Sequence, residues 1–138
     1  MIRTLLVASL AAFFLAGCAS TNQRVLDSDQ SQVQLRSIQT RAFDTTDKPK
    51  TIRAVIATLQ DLGFVLDQAD EVLGTVSGTK LKGYELRMTV SVRPGNAGKV
   101  LVRASGQYNL QPITDPISYQ DFFAALEKAM FLQAQAVD

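Results

Sequence analysis

Tyr84-Glu85-Leu86-Arg87-Met88-Thr89-Val90-Ser91-Val92-Arg93 alternates apolar and polar residues at every step. Successive side chains of a strand point to opposite faces, so this period of two predicts a half-buried strand with Leu86, Met88, Val90 and Val92 turned inward. Glu85, Arg87, Thr89, Ser91 and Arg93 then meet water. Pro94 to Gly98 reads as a five-residue turn, after which Val100, Val102, Ala104, Gly106 and Tyr108 face one way and Arg103, Ser105, Gln107 and Asn109 the other. The two strands form a hairpin. If residues 93 and 99 are partners at the turn, Arg87 falls opposite Ser105 and Thr89 opposite Arg103, which draws Arg87 and Arg103 together. Arg87, Arg103, Glu85 and Arg93 therefore form a candidate docking surface, since guanidinium forks recognise acidic or polar partners bidentately.

Working outward, Ser118 and Asp121 make a capping-box-like start to a closing helix whose face is Tyr119, Phe122, Phe123, Leu126, Ala129, Met130 and Gln133. Phe122, Phe123 and Phe131 are read as core and near-core residues. On the other side of the hairpin, Asp47 as N-cap and Pro49 in the first turn open a helix with Ile52, Val55, Ile56, Leu59 and Leu62 at helical spacing, stopped by Gly63. Phe64 to Asp67 and Thr75 to Leu81 read as strands, and the broken alternation of Arg36 to Phe43 as a first strand. The order β-α-β-β-β-β-α predicts an α+β domain, an antiparallel sheet of about five strands covered on one face by two helices.

The phrase Leu59-Gln60-Asp61-Leu62-Gly63-Phe64, followed by acidic turn residues and the strand start Gly74-Thr75-Val76, resembles the helix-grip domains of small outer-membrane lipoproteins, such as those of the C lipoprotein of the β-barrel assembly machinery. The resemblance spans roughly residues 36 to 135. It implies an accessory role beside larger envelope proteins and carries over no catalytic residue.

Met1 to Cys18 has a short cationic start with Arg3, an apolar stretch from Leu5 to Leu15 broken by one Ser, and small residues before Cys18. That is the pattern of a secretory signal peptide, too short to span a bilayer. Leu15-Ala16-Gly17-Cys18 resembles the bacterial lipobox. The resemblance implies removal of residues 1–17, a diacylglyceryl group on the Cys18 sulfur, palmitate-type acylation of the new amino terminus, and, with Ala19 and Ser20 next, a periplasm-facing anchor in the cell outer membrane. Two or three acyl chains hold a protein stably where one does so only marginally. Residues 19–34, ASTNQRVLDSDQSQVQ, lack aromatics and any sustained period, and read with Cys18 as a lipidated tether ahead of a single periplasmic domain over residues 35–138.

Composition limits the chemistry. The 138 residues include 14 Lys plus Arg, 13 Asp plus Glu, one Cys and no His. Ser-His-Asp and Cys-His catalysis are excluded, the usual zinc and copper ligands are nearly absent, and a near-neutral charge argues against a nucleic-acid partner. No cofactor or metal is expected. Asp67, Asp70 and Glu71 lack the ligand register of a calcium loop and read as a solvated turn. Gly74-Thr75-Val76-Ser77-Gly78-Thr79-Lys80 lacks phosphate-loop spacing. The expected protein is a non-enzymatic accessory or interaction module of an export, efflux or outer-membrane assembly complex, held to the membrane through Cys18. The alternative is a small-ligand or lipid-binding protein that uses the groove between helix and sheet.

Overall fold

A computed structural model describes residues 32–81, 83 and 85–135, with side chains described as far as Phe131. Residues 1–31, which hold the expected signal segment, Cys18 and most of the expected tether, lie outside the described residues, as do Lys82, Tyr84 and the side chain of Gln133. The chain divides into two units, Met1–Gln34 and Leu35–Asp138. Helix α1 covers residues 32–39. It is followed by β1 (Thr40–Phe43), α2 (Lys48–Asp61), β2 (Val65–Asp70), β3 (Thr75–Leu81), β4 (Glu85–Pro94), β5 (Val100–Tyr108), the two-residue β6 (Gln111–Pro112) and α3 (Pro116–Gln135). The fold is α+β, an open antiparallel sheet in the order β1-β5-β4-β3-β2, with β6 added beside β5.

The hairpin follows from its alternation. Met88, Val90 and Val92 on β4 and Val100, Val102 and Ala104 on β5 are buried, while Arg87, Thr89, Arg93 and Ser105 between them are exposed. Against this apolar face pack Ile52, Val55 and Leu59 from α2 and Tyr119, Phe122, Phe123 and Leu126 from α3, all essentially without solvent contact. Phe122 and Phe123 meet edge to face at 5.2 Å, an arrangement that suits their ring quadrupoles. Asp47 caps α2 by accepting from the Lys50 N–H at 2.9 Å. Gly63, with φ +85, lets the chain leave the helix for β2.

Four details differ from the sequence reading. Residues 36–39 are helical and belong to α1, leaving a first strand of four residues. Leu35 and Ile38, three apart, pack on the core, and Gln39 is buried, so a helical turn satisfies this segment better than a strand would. The same helix takes in residues 32–34, which had read as tether. β2 runs on to Asp70, so that residues 68–70, which had read as turn, belong to the strand with Asp67. Finally, α3 starts at Pro116, where Asp115 accepts from the N–H groups of Ile117 (3.2 Å) and Ser118 (3.3 Å). Asp115 with Pro at the first position outcompetes Ser118, whose own hydroxyl also donates to Asp115.

A buried polar cluster ties the layers together. The Tyr119 hydroxyl donates to the Ile113 carbonyl at 2.7 Å and accepts from the Gly106 N–H and from Gln39 Nε2. Strand β1 pairs with residues 100–103 of β5 and β6 with residues 107–108. Gly106 lies in the gap between them, where its backbone donor needs a side-chain partner.

Candidate functional site

The other face of the sheet, opposite the side on which α2 and α3 pack, is built among the described residues mainly from polar side chains. Register sets them in rows. Asp70, Thr75, Ser91 and Arg103 run across β2, β3, β4 and β5, and Thr40 of β1 continues the row. The next row is Gln68, Ser77, Thr89 and Ser105, and the third is Val65, Thr79, Arg87 and Gln107. Side chains of directly paired residues lie about 5 Å apart, so each row is a continuous strip of neighbours.

Between Leu66 and Gln68 the β2 ladder shifts by one residue. Such a bulge places two consecutive residues on one side, here Asp67 and Gln68. Asp67 Oδ2 accepts from the Thr79 hydroxyl at 2.7 Å, and beside this pair a shallow depression of about 280 Å³ is lined by Gln68, Thr75, Val76, Ser77 and Thr89. Its walls offer hydroxyl and amide groups, able both to donate and to accept.

Apart from Glu85 on β4, charge on this face is sorted across the strands. Asp67 and Asp70 stand on β2, hydroxyl residues fill β3 and the middle of β4, and Arg87, Arg93 and Arg103 stand on β4 and β5. Glu85 pairs with Arg87 at 3.1 Å, with both side chains well exposed, a geometry that contributes little to stability. Arg103 donates to Gln39 Oε1 at 3.2 Å. Asp70 Oδ1 accepts from the Leu73 N–H at 2.8 Å, which ties the carboxylate to the β2–β3 turn.

The register corrects the expected hairpin pairing. Pro94 pairs with Val100, so Arg87 faces Gln107, Thr89 faces Ser105, and Arg103 faces Ser91. The turn comprises residues 95–99, closed by the Gly95 N–H donating to the Lys99 carbonyl at 2.8 Å, with Ala97 and Gly98 at positive φ. Moving the turn one residue toward the C-terminus slides every pair by two. Arg87 and Arg103 are then four residues apart along the ladder, about 13 Å at the rise of a strand, so they do not form a joint site. They and Arg93 do share one face.

Lys80, the basic residue of the glycine-rich segment, donates to the Leu62 carbonyl at 2.7 Å and lies over the Phe64 ring. It caps α2 from a strand. Phe131, expected near the core, is 63% exposed, because the buried face of α3 runs through Tyr119, Phe122, Phe123, Leu126 and the half-buried Met130. Tyr119, Phe122 and Phe123 are fully buried between the helices and the sheet. Among the described residues no group of three or more Cys, Asp or Glu side chains could hold a metal ion, and no helix is long and apolar enough to cross a membrane.

The sequence reading singled out the polar residues of β4 and β5 but not Gln68, Thr75, Ser77 and Thr79. Their signal was present as the alternation of Thr75, Ser77 and Thr79 with Val76 and Gly78. Its continuity with the hairpin face depends on strand order, which no local pattern carries. The sequence matches no protein-family model and no curated protein, so the functional reading rests on residues and geometry.

Proposed function

We propose that this protein is a lipid-anchored lipoprotein of the bacterial outer membrane, facing the periplasm, whose folded domain is a non-enzymatic interaction module for an envelope complex. The lipobox-like Leu15-Ala16-Gly17-Cys18 supports the anchor. The single observation that carries the module is the unequal use of the sheet: one face buries the core, and the other offers rows of hydroxyl, amide and arginine groups that no contact within the described fold consumes, apart from the Glu85–Arg87, Asp67–Thr79, Asp70–Leu73 and Arg103–Gln39 contacts.

Hydroxyl and amide groups pair with polar surfaces without a large desolvation cost, and arginines add directionality. Asp67 and Asp70 each accept a local hydrogen bond, and Glu71 lies in the exposed turn between β2 and β3. Affinity purification of the full chain from membranes, with mass spectrometry of what co-purifies, tests the module. A specific envelope protein lost on Arg93→Glu with Arg103→Glu supports it, and unchanged capture by that variant contradicts it. Labelled palmitate tests the anchor: incorporation is expected in the wild-type chain and absent in Cys18→Ser, and labelling of the Ser variant contradicts the lipoprotein reading.

A further inference from the structure

We infer that the occupant of the open face is a second copy of this chain, packed face to face about a two-fold axis that runs along the strands between β3 and β4. This rests on the reading of that face as a docking surface. A two-fold contact requires a self-complementary patch, in which residue i meets j and j meets i. Rotation about this axis lays β2 of one copy over β5 of the other and β3 over β4, while each residue stays in its row.

The rows then match in charge. In the first row, Asp70, Thr75, Ser91 and Arg103, Asp70 of each copy meets Arg103 of the other and Thr75 meets Ser91. In the second, Ser77 meets Thr89 and Gln68 meets Ser105. In the third, Arg87 arrives over Thr79, whose hydroxyl holds Asp67. The other in-plane arrangement, with the axis across the strands, would set β2 against β2 and β5 against β5, so that Asp70 of one copy could not meet Arg103 of the other. In the first two rows the side chains along the axis, Thr75, Ser91, Ser77 and Thr89, are short enough for two twisted sheets to approach.

Arg103 has further donors to offer besides the one it gives Gln39, because a guanidinium carries five N–H groups. Four strands about 4.8 Å apart and some seven residues at about 3.4 Å define a patch of roughly 19 by 24 Å. Two such patches fall below the size of stable dimers, in the class of transient contacts. On a shared membrane, the proposed lipid anchors would raise the local concentration and favour a contact too weak to persist in dilute solution.

Charge exchange in the full chain tests this. Zero-length cross-linking of carboxylate to amine is unsuited to arginine, so the readout is disulfide capture in cells, with Thr75→Cys on one tagged copy and Ser91→Cys on another. The pair is expected to give a mixed dimer; Thr75→Cys with itself gives little. Asp70→Arg alone and Arg103→Asp alone should each lower capture by about tenfold through like-charge contacts. A chain carrying both exchanges should recover it, as should co-expression of the two single variants. Recovery cannot come from a folding defect common to both. Absence of the mixed disulfide in the wild-type background, or failure of the double exchange to restore it, overturns self-pairing. Co-purification of a different envelope protein under those conditions would leave the docking reading standing while removing its homotypic occupant.

Discussion

The two faces of one sheet are made by the same strands in alternation, yet they meet opposite demands. On β4, Met88, Val90 and Val92 have almost no solvent contact, while Arg87, Thr89 and Arg93, each one residue away, are exposed. The covered face is constrained by volume, because each side chain must fill a shape left by α2 and α3. The open face is constrained only by the need for a strand to stay soluble, which leaves its chemistry free to serve binding. Substitutions on the two faces should therefore differ in both size and kind.

Phe122→Ala should have the largest effect, destabilising the fold by about 3–5 kcal/mol in chemical denaturation, since it removes a fully buried ring between helix and sheet. A loss under 1 kcal/mol would mean that the helix layer does not hold the covered face as described. Next comes the N-terminal end of the domain. A chain beginning at residue 40 should be less stable than one beginning at residue 32 by about 2–3 kcal/mol, because it lacks the apolar contacts of Leu35 and Ile38 and the buried Gln39 amide. Equal denaturation midpoints would return α1 to the status of tether.

Tyr119→Phe sharpens the comparison by removing one oxygen. The Gly106 N–H and Gln39 Nε2 would lose their acceptor and the Ile113 carbonyl its donor, for a loss of about 1–3 kcal/mol, and amide exchange at Gly106 should accelerate. An unchanged exchange rate would show that this bond does not close the gap on β5. Thr89→Ala, in the middle of the open face, should shift stability by no more than about 0.5 kcal/mol. A larger loss would mean that the hydroxyl rows hold the sheet together.

How far the sequence reveals all this depends on the range over which each determinant acts. The alternation from Leu86 to Arg93 and the capped, periodic helix from Lys48 to Asp61 are local and were legible, and with them the α+β class. The start of the domain was not, since Leu35 and Ile38 look the same in a tether as in a packed turn until the core beneath them is known. The hairpin register turned on one residue of the loop, and a one-residue error there moved Arg103 from Thr89 to Ser91. Half of the candidate site was visible as the polar side of the hairpin. The β2–β3 half required both the strand order and the bulge at Asp67, which are properties of tertiary pairing.

The most direct test of the division of labour between the faces is a double substitution in the hydroxyl rows, Ser77→Arg with Thr89→Glu, opposite charges on a directly paired position, in the full chain, followed by paired measurement of unfolding free energy and of capture from membranes. Two bulky, outward-pointing side chains on a face free of packing should leave the unfolding free energy within about 0.5 kcal/mol of the parent and abolish capture. A variant that unfolds far more easily yet keeps its partners would contradict the account, placing structure on the open face and binding elsewhere.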